Sequence, residues 1–313
     1  MKEEDILNFF SSIFKTKDKR IIIGPGDDCA ILNLGKGKIL LTADEMVEGT
    51  HFLYNFSKPE TLASKLVRMN VSDIYSMGEA EPAACIVTAA IPKKINYDWI
   101  KRFALALKKE AAFFSMSVAG GNLSKSDRLH LTMTVIGVLR GKKTLRNTAR
   151  CYDVIAGIGE LGNSRAGLLT LLSGLKKGRE EKYLIDYFWR PRIYKNESAR
   201  IAKYASSMLD NSDGLFKSIG IIARANKLLA EIELSEDMIS KEMLNWCKKR
   251  KKDWRKIALE GGEDYGLIFT LKESDFERLK KEVSGIYKIG VLKKGEGVAI
   301  KNFKGGLNCF EHF

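Results

Sequence analysis

The sequence predicts an α/β or α+β protein of two domains. Its 313 residues exceed the usual size of a single domain. Strand-like and helix-like segments are mixed in both halves. With 45% apolar and 29% charged residues, the composition is that of an ordinary globular protein. A chain of this length buries about three quarters of its unfolded surface and needs no covalent staples. No repeat and no low-complexity linker marks a boundary. The change of pattern places it near residue 149, giving segments 1–149 and 150–313.

The elements follow in order. Ile6, Leu7, Phe10, Ile13 and Phe14 form a helical stripe, so residues 3–15 read as an amphipathic helix. A short strand, residues 20–23, runs into Gly24-Pro25-Gly26-Asp27-Asp28, a loop by its glycines and proline. Strands follow over 29–32 and 38–42. Leu62, Leu66, Met69 and Asp73 share one face of a helix over 60–77. Residues 84–90 read as a buried strand closed by Pro92, 97–114 as a helix, and 130–139 as a long alternating strand. In the second half a strand over 153–157 precedes helices near 163–174, 192–206 and 213–229. Later strands fall near 228–234, 266–271, 286–292 and 297–301.

Composition narrows the function classes. Five scattered cysteines without CxxC spacing exclude a zinc ribbon and argue against a disulfide scaffold. The acidic start MKEEDILNFF does not read as a signal peptide, so none is expected, and the most apolar run, 83–91, is too short to cross a bilayer. The expectation is a cytoplasmic protein with no membrane partner. A net charge of +14 favours anionic partners. The densest basic cluster, Lys248 to Lys252 with Arg255 and Lys256, lacks interleaved aromatics for base stacking. It reads as a solvated helix end, and no nucleic acid is expected.

The motifs point to phosphate chemistry. There is no GxxxxGKS/T phosphate loop. A GxGxxG at Gly157 to Gly162 follows a strand and precedes a helix, and Glu181 lies near the offset of a ribose-binding acid. No clear second strand carries that acid, so the motif reads as a glycine turn packing helix on strand. The aspartates say more. Asp27, Asp28, Asp44, Asp73, Asp210 and Asp213 each stand at a strand end, a loop or a helix, where turn and cap roles explain any one of them. Together they are what hard, oxygen-seeking cations require. Three histidines and the scattered cysteines offer no transition-metal set.

The ordered motifs resemble one family along nearly the whole chain. They are Gly24-Pro25-Gly26-Asp27-Asp28-Cys29-Ala30, Thr42-Ala43-Asp44 with Val47-Glu48-Gly49-Thr50-His51-Phe52, and Asn70-Val71-Ser72-Asp73-Ile74 with Met77-Gly78 and Pro82. The second half adds Asp210-Asn211-Ser212-Asp213-Gly214-Leu215, Gly261-Gly262-Glu263-Asp264-Tyr265 and the terminal Glu311-His312-Phe313. The set resembles the thiamine-monophosphate kinase family, in the aminoimidazole ribonucleotide synthetase-like superfamily. The resemblance implies a two-domain fold whose N-terminal strands pair with a second subunit's into a barrel, hence a homodimer. It implies ATP between the domains, held through several magnesium ions, and thiamine monophosphate as acceptor.

By matching positions, Asp28, Thr42, Asp44, Asp73, Asp210 and Asp213 would bind magnesium. Gly120, Gly121, Arg146 and Ser212 would contact ATP, and His51 and Glu263 the substrate, with Phe303 stacking on it. Asp210, Asp213 and Arg146 would carry the catalysis. Two positions depart from the pattern: Asn122 follows the glycine pair where the family has a magnesium-binding Asp, and Ala43 replaces a threonine. An Asn can still ligate magnesium through its carbonyl oxygen, so Asn122 joins the expected metal set. The implied reaction is direct in-line transfer, for which a phosphate monoester needs no strong general base. A catalytically weakened nucleotide-binding homologue, another ATP-dependent superfamily member and a nucleic-acid-binding module remain the alternatives.

Overall fold

A computed structural model describes residues 21–23, 27–33, 37–174 and 178–307. The helix expected over 3–15, the Gly24–Gly26 part of the loop and the last three residues lie outside them. Two six-stranded sheets organise the chain. The first is built from β1 (Ile21–Ile23), β2 (Ala30–Asn33), β3 (Lys38–Val47), β4 (Gly78–Ile91), β5 (Ser117–Lys125) and β6 (His130–Lys143). Their order is β1-β2-β3-β6-β4-β5; every pair is antiparallel except β4 with β5.

Alternation explains β6. Leu131, Met133 and Val135 point into the core while their neighbours do not. Against this face packs α1 (Pro59–Ser76), with α2 (Tyr97–Phe113) beyond it. Helix and sheet meet closely: a Cβ on Gly137 would lie 2.9 Å from the Ile74 side chain. Residues of α1 are buried nearly all round, because the helix also touches the second half.

The second sheet holds β7 (Val154–Ile158), β8 (Ser207–Asp210), β9 (Leu228–Ile232), β10 (Leu267–Leu271), β11 (Ile286–Lys294) and β12 (Gly297–Ile300). Its order is β12-β9-β11-β7-β10-β8. Helices α3 (Asn163–Leu172), α4 (Arg179–Trp189), α5 (Lys195–Tyr204), α6 (Leu215–Asn226), α7 (Lys241–Lys249), α8 (Trp254–Glu260) and α9 (Glu273–Glu282) surround it. Cores lie on both faces: Ile155 and Ile268 belong to one, Val154, Ala156 and Phe269 to the other. That is why β7 and β10 are apolar without alternation.

The GxGxxG turn packs helix on strand. Gly159 and Gly162 have φ of +118° and +78°, and a Cβ on Gly162 would lie 2.7 Å from Met243 Cε. Glu181 sits in α4, where its carboxylate accepts the Gly178 N–H and pairs with Arg250 at 3.3 Å. Of the basic cluster, Lys248 and Lys249 end α7 and Arg255 and Lys256 stand in α8, and Lys249 pairs with Glu180. Among the described residues, no helix is long and apolar enough to cross a membrane.

Candidate active site

A cleft of about 1030 Å³ opens where α1 meets the second half of the chain. Four segments deliver its acids. Asp27 and Asp28 come from the loop before β2, Asp44 from β3, Asp73 from α1, and Asp210 from the end of β8. Helical spacing lines Lys65, Ser72, Asp73 and Ser76 along one edge of α1.

Those polar groups fix the acids in place. Thr42 donates to Asp73 Oδ2 at 2.6 Å, Ser72 to Asp210 Oδ2 at 2.7 Å and Ser76 to Asp28 Oδ2 at 2.7 Å. The Asn70 amide oxygen accepts the Asp44 N–H at 3.0 Å. Arg146 pairs with Asp28, and its backbone N–H reaches Asp27 at 3.2 Å. Its carbonyl is held in turn by Ser207 and Asn226, each at 2.9 Å.

Carboxylate oxygens of Asp28, Asp73 and Asp210 lie within 4.8 Å of one another. Burial, then the like charges nearby, push Asp210 up to about 8 and Asp44 to about 6. Burial and then Asp44, Asp210 and Asp28 raise Asp73 well above the usual carboxylate range. Burial, reinforced by Asp28, lifts Asp27 to about 6. Burial alone would weaken the Arg146 charge, but Asp28 and Asp27 hold it firmly protonated. One guanidinium does not balance this set. Three converging carboxylates with a hydroxyl beside them form an all-oxygen donor set that fits magnesium.

The opposite wall is a strained loop. Glu263 and Tyr265 have φ of +63° and +53°, and their N–H groups donate to Ser212 O (2.6 Å) and Asn211 O (3.1 Å). A Cβ on Gly262 would stand 2.6 Å from Ser212 O. The two second-half motifs are therefore one unit, carrying Ser212, Asp213 and Glu263 to the cleft. Asp264 anchors it by accepting the Gly162 and Ser164 N–H groups at the start of α3, and burial pushes its carboxyl up to about 8. The Lys65 ammonium, fully buried, lies 2.8 Å from Glu263 Oε2 and 3.5 Å over the Phe188 ring.

Residues 26–139 match the family model described as AIR synthase related protein, N-terminal domain. The thiamine-monophosphate kinase of Aquifex aeolicus is 32% identical, over 100% of this chain and 99% of that protein. The chain belongs to the thiamine-monophosphate kinase family. The Bacillus subtilis member is 33% identical over 87% of this chain and 86% of its own length. The solved structure of AaThiL complexed with AMPPCP and TMP superposes with a TM-score of 0.88 at 30% identity, covering 100% of this chain and 97% of that one. The hydrogenase maturation protein HypE in complex with ATP, 18% identical with a TM-score of 0.64, shares the fold.

Within this family fold the cleft brings together most of the expected site residues. Asp28, Thr42, Asp44, His51, Asp73, Arg146, Ser212, Asp213 and Glu263 line it, and Asp210 completes the carboxylate triad. His51 Nδ1 accepts the Val47 N–H at 3.0 Å, closing the turn after β3. Gly120, Gly121 and Asn122 are not there. They lie on β5, an exposed edge strand paired with β4. Phe303 packs against the core of the second sheet and does not line the cleft. Roles for Lys65, Ser72, Ser76 and Asp264 escaped the sequence reading. Only the spacing of 65, 72, 73 and 76 along one helix carried a signal for the first three.

Proposed function

We propose that this chain transfers the γ-phosphate of ATP to thiamine monophosphate, giving thiamine diphosphate. The observation that carries the reading is the carboxylate triad of Asp28, Asp73 and Asp210 in the cleft of a chain of this family. Asp28, Asp73 and Asp210, joined by Thr42, Asp44 and Asp213, would hold magnesium, with Asn122 an expected further ligand. Magnesium, when bound, neutralises charge between carboxylates and a polyphosphate.

The chain's own residues supply positioning. Ser72, Ser76 and Thr42 orient the acids, and Asp27 and Asp28 aim Arg146 at the cleft, where its charge opposes that developing on the transferred group. A phosphate monoester is ionised at pH 7 and is itself the nucleophile, so no side chain has to remove a proton. That is consistent with His51 serving as a substrate contact, its Nδ1 committed to the Val47 N–H. Glu263 and Ser212 keep their expected roles as substrate and ATP contacts, and Asp210, Asp213 and Arg146 as the catalytic group, whereas Phe303, packed on the second sheet, does not line the cleft and gives up its stacking role.

We also read the chain as a cytoplasmic homodimer, divided near residue 149 between its two sheets. Exposed apolar residues Ile86, Val118, Leu123 and Ile136 cluster on and beside the β5 edge, and an open apolar edge is normally covered. A second copy there would bring Gly120, Gly121 and Asn122 into use. The functional test is purified protein with ATP, magnesium and thiamine monophosphate, following thiamine diphosphate. Absence of product under every metal condition refutes the reading, and tight ATP binding without turnover marks a weakened homologue.

A further inference from the structure

Arg165 is the unassigned charge of the cleft. It stands in the first turn of α3 and lines the cavity together with Leu168 and Leu172. Among the described residues its guanidinium has neither hydrogen bond nor ion pair. The acids around it are engaged by other groups: Glu263 by Lys65 at 2.8 Å, Asp213 by Lys217 at 3.5 Å, Glu260 by Lys256 at 3.7 Å. Asp264 already takes the N–H groups at the start of α3, so the helix end itself has no anion to seek. A half-buried guanidinium that shares its cleft with Glu263, Asp213 and Glu260, each answering to another partner, is set for an external anion.

Its position selects which anion. Ser164, the preceding residue, donates its hydroxyl to the Glu263 carbonyl at 2.7 Å, so Arg165 adjoins the loop expected to touch the acceptor substrate. The carboxylate triad that suits a metal-bound polyphosphate comes from other elements: the loop before β2, α1 and β8. Along α3, Leu168 and Leu172 lie three and seven residues after Arg165, on the same face, which is about 10 Å of helix at 1.5 Å per residue. One face thus presents a cation followed by an apolar strip.

We propose that Arg165 grips the phosphate monoester of the acceptor substrate, while Leu168 and Leu172 form the apolar wall beside its rings. The proposal rests on the functional reading above and makes Arg165 the residue by which the cleft distinguishes the phosphorylated acceptor from its unphosphorylated form. A planar guanidinium suits this task, since it meets two phosphate oxygens with parallel N–H donors.

The test uses the full chain and the variants Arg165→Gln and Arg165→Lys. Loss of a charged hydrogen bond predicts an increase of about 10- to 100-fold in KM for thiamine monophosphate in Arg165→Gln, with kcat changed far less. Calorimetry should show the same loss of thiamine monophosphate affinity, unchanged thiamine affinity, and partial recovery in Arg165→Lys. KM for ATP and the unfolding midpoint should stay put, because no protein partner is lost. Equal loss for thiamine and its phosphate, a raised KM for ATP instead, or no change at all would each overturn the proposal. If the wild type fails to turn over thiamine monophosphate, the functional reading fails, while the calorimetric comparison still decides the role of Arg165.

Discussion

Replacing Glu263 should expose how expensive the buried Lys65 is. The ammonium is fully shielded from solvent, and its acceptor is Glu263 Oε2 at 2.8 Å, with the Phe188 ring 3.5 Å below it. Glu263→Ala leaves that charge with the Phe188 and Trp189 rings alone. Removing one partner of a buried pair costs about 3–5 kcal/mol. A ceiling follows from chemistry, since the lysine can shed its proton. Burial already holds Lys65 below its ordinary 10.5, against the opposing pull of Glu263. Giving up the proton at pH 7 costs about 5 kcal/mol, at 1.36 kcal/mol per pH unit. The folded variant would then carry a neutral Lys65, while the unfolded chain carries a charged one.

The sign of the pH dependence follows. The unfolded state binds one proton more, so the variant's deficit is full at neutral pH and shrinks by about 1.36 kcal/mol per unit as pH rises toward 10. Lys65→Met with Glu263→Ala removes the stranded charge and should recover most of the loss. Lys65→Met alone should cost much less than Glu263→Ala, because the Glu263 side chain is 29% exposed and keeps access to water. Urea unfolding of the four proteins at pH 7, 8 and 9 is the assay. A deficit in Glu263→Ala that ignores pH, or a double variant as unstable as the single one, would refute the reasoning.

Further outcomes are expected. Without magnesium, stability should fall as pH rises from about 4 to about 8, because Asp44 and Asp210 keep protons in the folded state, with values of about 6 and about 8, that they lose when unfolded. Magnesium should flatten that fall, and a metal-free midpoint that climbs over this range would contradict it. Asn122→Asp should lower the magnesium concentration for half-maximal rate by about tenfold or more, and an unchanged or raised requirement removes Asn122 from the metal set. Leu123→Lys, at a side chain 67% exposed on β5, should shift the sedimenting species from dimer toward monomer at micromolar concentration; an unchanged mass rejects that edge as the interface.

What the sequence made legible was whatever carried a period or a motif. The α1 stripe marks the face packed on the first sheet, the alternation of β6 reflects one-sided burial, and both elements occur where the pattern put them. β5 was invisible because all nine of its residues are exposed and nothing alternates. The strand exists through its ladder with β4, a long-range fact. β8 is four residues long, too short for a pattern to emerge. By contrast, Leu184, Tyr187 and Phe188 do form a helical stripe, so α4 stands where a ribose-binding strand would be needed. Among site residues, the aspartates were readable as ordered motifs. Lys65 was not, since a lysine on an apolar helix looks like a surface residue until its partner, 198 positions away, is folded against it.

The charges of this molecule are arranged in opposition. The chain as a whole carries +14, which draws phosphorylated anions from a distance. The cleft inverts that sign: Asp27, Asp28, Asp44, Asp73 and Asp213 line it, Asp210 stands with them, Arg146 is already paired with Asp28, and Lys65 with Glu263. A bare triphosphate drawn to the surface finds Arg146 and Lys65 at the floor already paired, whereas a nucleotide that arrives with its cations displaces the protons of Asp73 and Asp210 and matches the carboxylates. A monoester reaching Arg165 faces no such requirement. The two phosphate compounds should then differ in their metal dependence, ATP losing its affinity in chelator and thiamine monophosphate keeping most of its own. Calorimetry with and without magnesium measures both. If ATP binds as tightly in chelator as in magnesium, the carboxylates do not set the terms of nucleotide entry, and this account of the cleft fails.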